Sequence, residues 1–389
     1  MTGETGFVGS HTVAALVRHG HEVRVMARRP EAVARVLEPL GVTADAVRGD
    51  VTDPRDVATA LDGCDAVVHA AAHVGVSTGV GADGNVNVDG TRHVLDRAVR
   101  LGLDPVVYTS SVSIYLPSPL PVIGPDSPLS EPLSPYTASK SEAELLVRAV
   151  QAQGHPVTSI AIGGVYGPHS PHLDSSFAGV LGAMRSMMLV PPGGIGVVDV
   201  RDTAELLARA VRPGSGPRRY LAGGTYVTWS EWVDLLSAAA GTEVARHEVT
   251  VDEMVALGRE FDHQRRSGVP VDVPLTEEAA IVMTGCPPTD DAATLADLGL
   301  AYRPVVDVPG HRGVPAGRGS PALGRLTGGG TPGSDGSQFE GHGSCATGSK
   351  QWINAIISTS GGISVHPNAT GEQQMADILE AALAANGIS

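Results

Sequence analysis

The chain has 389 residues, 42% of them hydrophobic, with a formal net charge of -15. That is enough apolar material for about two domains of ordinary size. The negative charge argues against a nucleic acid or an anionic membrane as partner. Three cysteines, Cys64, Cys286 and Cys345, are too widely spaced for a metal or disulfide framework, so no metal is expected and a reducing cytoplasm is the default compartment. Nothing approaches ~18 consecutive apolar residues, and no basic segment followed by an apolar stretch opens the chain, so neither a membrane span nor a signal peptide is expected.

In chain order, glycines come first. Thr2-Gly3-Glu4-Thr5-Gly6-Phe7-Val8-Gly9 spaces them three apart. Glycines so placed let a backbone turn tightly and approach a pyrophosphate, and a following helix offers free N–H groups and a positive dipole end. Helical spacing over Thr12–Arg18 supplies that helix, and Val23–Ala27 reads as a strand. The end of that strand is where an acidic side chain would hold the adenosine ribose of NAD. Ala27 stands there, followed by Arg28 and Arg29, and two guanidiniums suit a 2′-phosphate, which favours NADP over NAD. Gly49-Asp50-Val51 is placed to meet the adenine edge and face.

Further strands are predicted at Ala66–Ala70, Pro105–Thr109 and Thr158–Ile162, with helices at Gly90–Arg100 and Tyr136–Gln153. The alternation predicts an α/β fold: a Rossmann-type, doubly wound parallel sheet over residues 1–162. Residues 163–308 are expected to form mainly a smaller substrate lobe with returning Rossmann elements and helices at Arg201–Val211 and Ser230–Ala240. Residues 309–337, rich in Gly and Pro, read as a linker. Residues 338–389 form a separate tail ending in a helical pattern, Glu372–Ala384.

Tyr136 and Lys140 stand at i and i+4, neighbours on one helix face. A free tyrosine, with a pKa of about 10, is a poor proton-transfer group at neutral pH, and an adjacent ammonium pulls that value down. Ser111 follows a strand and is placed to hydrogen-bond a substrate oxygen. Each part is common alone; their order along the chain carries the information.

These motifs resemble the extended short-chain dehydrogenase/reductase family, the group of nucleotide-sugar epimerases, dihydroflavonol reductases and hydroxysteroid dehydrogenases. The matching pieces are TGETGFVG at Thr2–Gly9, GDVTD at Gly49–Asp53, HAAA at His69–Ala72, NVDGT at Asn87–Thr91, YTSSVSIY at Tyr108–Tyr115, YTASK at Tyr136–Lys140, VYGP at Val165–Pro168 and VDVRD at Val198–Asp202. The resemblance implies a catalytic triad of Ser111, Tyr136 and Lys140. It implies a cofactor site lined by Gly3, Gly6, Phe7, Val8, Gly9, Arg28, Arg29, Asp50, Val51, Ala70, Ala71, Ala72, Val165 and the Tyr136–Lys140 pair, with Asn87 bracing strands. The implied reaction is hydride transfer between the nicotinamide of NADP or NAD and a small-molecule secondary alcohol or ketone. A nucleotide-sugar epimerase or dehydratase is the alternative within the fold, and a non-catalytic dinucleotide sensor is one outside it. A homodimer is possible.

Three departures accompany the resemblance. Members carry an apolar strand before the glycine loop; here only Met1 precedes Thr2, so the first strand is expected to be missing, and with it about five side chains worth roughly 1.5–3 kcal/mol each. Either an upstream start or poor folding is the expectation. Ala161-Ile162 stands where the family usually has Arg-Pro. The tail, with Phe339–Cys345 and Val365–Gly371 around His366, is similar instead to the end of SGNH (GDSL-type) esterases, and suggests a fused or mis-read frame. It lacks an upstream nucleophile block, which makes His366 a base without a nucleophile.

Overall fold

The computed structural model describes residues 1–73, 84–171, 187–269, 271, 273, 275–305, 353–357 and 363–367. Its main sheet is parallel throughout. Strands β1 (Arg24–Ala27) and β2 (Asp45–Arg48) pair on one side. On the other, β3 (Val67–His69), β4 (Val106–Ser111), β5 (Val157–Ile162) and β9 (Arg218–Ala222) lie in that order. All six residues of β5 are buried, as a central strand covered on both faces requires.

The expected gap at the first strand is partly closed by the two residues that precede the glycine turn. Thr2 bridges in parallel to both Met26 of β1 and His69 of β3. Thr2 N–H donates to Val68 O, Ala70 N–H to Thr2 O, and Met26 N–H to Met1 O, at 2.9–3.2 Å. Thr2 thus occupies a ladder position between β1 and β3, the one that aims the glycine loop.

Helix α1 (Phe7–Arg18) starts at the second glycine's successor, and α5 (Pro135–Ala152) covers β4 and β5. Helix α4 (Gly84–Leu101) packs beside α5, and their shared core contains Val94, Leu95, Ala98, Ala143 and Val147. Predicted elements recur with shifted ends: the helix expected from Thr12 begins at Phe7, and the one expected from Gly90 begins at Gly84.

Beyond β5 the chain alternates between sheet and lobe. Strands β6 (Gly164–Tyr166), β8 (Gly194–Asp199) and β10 (Thr225–Thr228) form a three-stranded sheet, and β7 (Met188–Val190) pairs with β11 (Arg246–Glu248). Helix α6 (Val200–Arg209) returns to α1, burying Leu206 and Leu207 with Ala15 and Leu16. Helices α7 (Trp229–Ala240) and α8 (Val251–Arg266) each open on a capping box, Thr228 with Glu231 and Thr250 with Glu253. Among the described residues no helix is long and apolar enough to cross a membrane. The expected linker 309–337 and the terminal helix lie outside the described residues. Of residues 338–389, only the paired strands β12 (Ile353–Ile357) and β13 (Ile363–Pro367) are described, with Asn354 opposite His366.

Candidate active site

The glycine loop sits at the carboxyl edge of the sheet. Gly3 adopts φ +81°, and a Cβ there would lie 2.4 Å from Ala70 C. A Cβ on Gly9 would lie 1.9 Å from Gly3 O. The first turn of α1 is thus pressed onto the loop, held by Gly6 N–H to Gly3 O at 3.1 Å. Gly6 caps the helix with no side-chain hydrogen bond, and the N-terminal end of α1, with its positive dipole end, faces the loop. These features fit the diphosphate of a dinucleotide. Phe7 and Val8 are half-buried in that first turn.

At the far end of β1, Ala27 is buried while Arg28 and Arg29 are exposed. Asp50 is half-buried. Its Oδ1 accepts from Thr52 N–H at 2.9 Å and Thr52 Oγ1 at 2.8 Å, which with nearby Arg28 holds its carboxyl below the usual range. One Asp50 oxygen is therefore already engaged in its own turn, a constraint the expected adenine contact has to accommodate. Ala70 and Ala71 are half-buried beneath Gly3, Ala72 is exposed, and Val165 is half-buried on β6.

Ser111 ends β4 and caps a short turn, Val112–Tyr115, accepting from Ser113 N–H at 3.2 Å. That cap fixes the hydroxyl, which also shares a hydrogen bond with Ser113 Oγ at 2.8 Å. Tyr136 is delivered by the start of α5. Ser134 accepts from Thr137 N–H, Thr137 Oγ1 accepts from Ser134 N–H at 3.0 Å, and Pro135 occupies the first helical position. The phenol was expected to be drawn down by Lys140. Instead burial pushes it above its ordinary value, opposed by the nearby Ser111 hydroxyl.

Lys140 is 4% exposed and points to β4. Its ammonium donates to Thr109 O at 2.7 Å and to Tyr108 Oη at 3.0 Å, and lies 4.7 Å from the Tyr108 ring centroid. Burial lowers its pKa to about 8, and the Glu144 carboxylate resists that fall. Glu144, 1% exposed, is fixed by Ser159 Oγ at 2.7 Å and Arg148 Nε at 3.1 Å. Because the folded pKa lies below the free lysine value, the ammonium persists below about pH 8 and is lost above it. Activity that needs the ammonium should fall as pH rises through about 8, and stability should rise over the same window and on toward the unfolded lysine's pKa. A kcat/KM profile checks the first; Glu144→Gln should move that limb to lower pH.

Several contributors carried no role in the sequence reading. His69 bridges Thr2 Oγ1 at 2.7 Å and Thr91 Oγ1 at 3.2 Å, tying the loop to α4; burial lowers its pKa to about 3, so it serves as a neutral brace. Asn87 was expected to brace strands. It instead ties α5 to the segment after β3, donating to Ser139 Oγ at 2.9 Å and accepting from His73 N–H at 2.7 Å. Tyr108, Thr109 and Glu144 form the lysine's seat. The only sequence signal for Glu144 was its place one turn after Lys140.

Residues 1–223, more than half of the chain, match the model of the NAD dependent epimerase/dehydratase family. The sterol demethylase protein B of Methylococcus capsulatus is 30% identical over 250 residues, covering 62% of this chain and 74% of that protein. The 3 beta-hydroxysteroid dehydrogenase type 7 of Mus musculus is 32% identical over 208 residues, 49% of this chain and 56% of that protein. MoeE5 in complex with UDP-glucose and NAD superimposes with a TM-score of 0.57 at 24% identity, covering 78% of this chain and 92% of that one.

Proposed function

This chain belongs to the NAD-dependent epimerase/dehydratase family, and we propose that within it the chain is an NADP-preferring oxidoreductase acting on a secondary alcohol or ketone. The observation that carries the reading is the gathering of Ser111, at the end of β4, with Lys140, which stands one turn after Tyr136 on α5 and donates to Thr109 O of that same strand, at the sheet edge that holds the glycine loop. A bound nicotinamide dinucleotide supplies the hydride donor or acceptor. The protein's part is to place a carbinol or carbonyl oxygen between Ser111 Oγ and Tyr136 Oη. Tyr136 passes its proton to that oxygen in reduction and takes it back in oxidation, and Ser111 holds the oxygen in line. Lys140, already donating to Tyr108 Oη and Thr109 O, offers its remaining N–H donor to the nicotinamide ribose. The names of the hydroxysteroid dehydrogenase and sterol demethylase relatives support an alicyclic alcohol as the substrate class.

Assay of NADPH- and NADH-dependent reduction over a panel of 3-ketosteroids tests the proposal; absence of turnover with every ketone in the panel would sink it. The nucleotide-sugar epimerase or dehydratase reading is favoured by the family model and by the UDP-glucose bound to MoeE5. It predicts conversion of a UDP-sugar with no net change in nicotinamide absorbance. The NADP preference rests on Arg28 and Arg29. Charge reversal at both, Arg28→Glu with Arg29→Glu, should weaken NADP by roughly tenfold or more and leave NAD nearly unchanged in calorimetric titration, since a hydrogen bond to a charged group is worth about 1.5–3 kcal/mol.

A further inference from the structure

A line of buried hydrogen bonds runs from the glycine loop to helix α5, and the direction of each bond is fixed by its neighbours. Ala71 N–H, beneath Gly3, donates to Thr2 Oγ1 at 3.3 Å. Thr2 Oγ1 lies 2.7 Å from His69 Nδ1, and His69 Nε2 lies 3.2 Å from Thr91 Oγ1. Thr91 gives its one hydroxyl proton to Asn87 O at 2.7 Å, so toward His69 it can only accept. His69 therefore carries its ring proton on Nε2. Burial, with the Lys140 ammonium adding to it, keeps that ring neutral, which leaves Nδ1 to accept from the Thr2 hydroxyl. On the far side, Asn87 Nδ2 donates to Ser139 Oγ at 2.9 Å, and Ser139 Oγ donates to Tyr136 O at 2.8 Å. Thr2, His69, Asn87, Thr91 and Ser139 are each 6% exposed or less, so water offers none of them a substitute partner. The line thus joins the residue before Gly3 to the backbone of the residue that bears the phenol.

We propose that His69 is a positioning residue for the reaction: fixed as its Nε2–H tautomer, it ties the glycine loop through Thr91, Asn87 and Ser139 to the backbone of Tyr136, so that dinucleotide and phenol are held in one register. The inference rests on the proposed role of Tyr136. His69 itself moves no proton. Its part is geometric, and a misplacement of about 1 Å at the reacting groups can cost on the order of 100-fold in rate.

NMR of the intact protein without dinucleotide, labelled with 15N-histidine and 13C-tyrosine, tests this directly. His69, assigned through His69→Gln, should show a pyrrole-like Nε2 and a pyridine-like Nδ1 at neutral pH. Thr91→Val keeps the side-chain shape and removes the hydroxyl; it should shift the ring signal of Tyr136, assigned through Tyr136→Phe. A proton on Nδ1 of His69, or a Tyr136 signal unmoved by Thr91→Val, would overturn the proposal whether or not the protein reduces a ketone. In turnover at saturating dinucleotide, Thr91→Val and Ser139→Ala should each lower kcat about tenfold, and the two together no further, since either break disconnects Tyr136. Thr91→Ser, which keeps the hydroxyl, should retain the wild-type kcat. Losses that multiply in the double variant would mark independent packing defects and overturn the proposal. Absence of turnover by the wild type with every ketone would defeat the oxidoreductase reading instead, and the NMR outcomes then decide the role of His69. Should Thr91→Val not fold, the wild-type tautomer and the kcat of Ser139→Ala decide.

Discussion

Tyr136→Phe is expected to lower kcat about 10²–10⁴-fold, the usual worth of a positioned proton-transfer group, with dinucleotide affinity nearly unchanged. The substitution keeps the ring and removes one oxygen. The ring is held by the start of α5, whose cap of Ser134 and Thr137 does not involve the phenol, so the fold should be unaffected. Ser111 keeps Ser113, at 2.8 Å between the hydroxyls, and so stays in place. Steady-state turnover with a ketone, beside a calorimetric Kd for the dinucleotide, reads both halves. Turnover at the wild-type rate would remove Tyr136 from the chemistry, and with it the oxidoreductase mechanism. A parallel loss of dinucleotide affinity would instead indicate a structural role.

Gly9→Ala should abolish tight dinucleotide binding. The added Cβ would meet Gly3 O at 1.9 Å and Gly3 C at 2.6 Å, both backbone atoms. No rotamer relieves such a contact, so the loop must move away from α1 or the helix must start later. Either response withdraws the N–H groups that α1 offers. At about 1–3 kcal/mol for an overpacked site, affinity should fall roughly 10- to 100-fold, and Tm should fall by several degrees. Gly41→Ala, at φ +69° with open space around it, is the control: strain without a clash, and no effect on the dinucleotide. Equal dinucleotide affinity in Gly9→Ala and wild type would show that the loop tolerates displacement and is not the diphosphate cradle.

Much of the architecture was legible because its signals are local. Period-2 and period-3.6 runs are short-range consequences of which face is buried, so strands at Val67–His69, Val106–Ser111 and Val157–Ile162 and the helix carrying Tyr136 could be placed within a few residues. The glycine loop was legible for a similar reason. Its need for φ above zero and for absent side chains is met by residue type alone, as at Gly3. Edge elements such as β2, whose residues are exposed or half-buried, carry no such pattern and escaped notice. The strands of the lobe, three to six residues long, are set by their pairing partners more than by their own sequence.

Residue types and their order alone establish the chemical inventory: a glycine loop, then Ser111, then Tyr136 and Lys140 one helical turn apart. Only the tertiary structure decided how those groups are used. It brought Ser111 to Tyr136, 25 positions apart by their numbers. It seated Lys140 on Tyr108 and Thr109 O rather than leaving it to act directly on the phenol. It also set Thr2 between β1 and β3, and it buried Glu4 with an oxygen unpartnered. The physical reason is the same each time. Burial and hydrogen-bond partners set both the charge a group carries and the direction it points, and both come from residues distant in the chain.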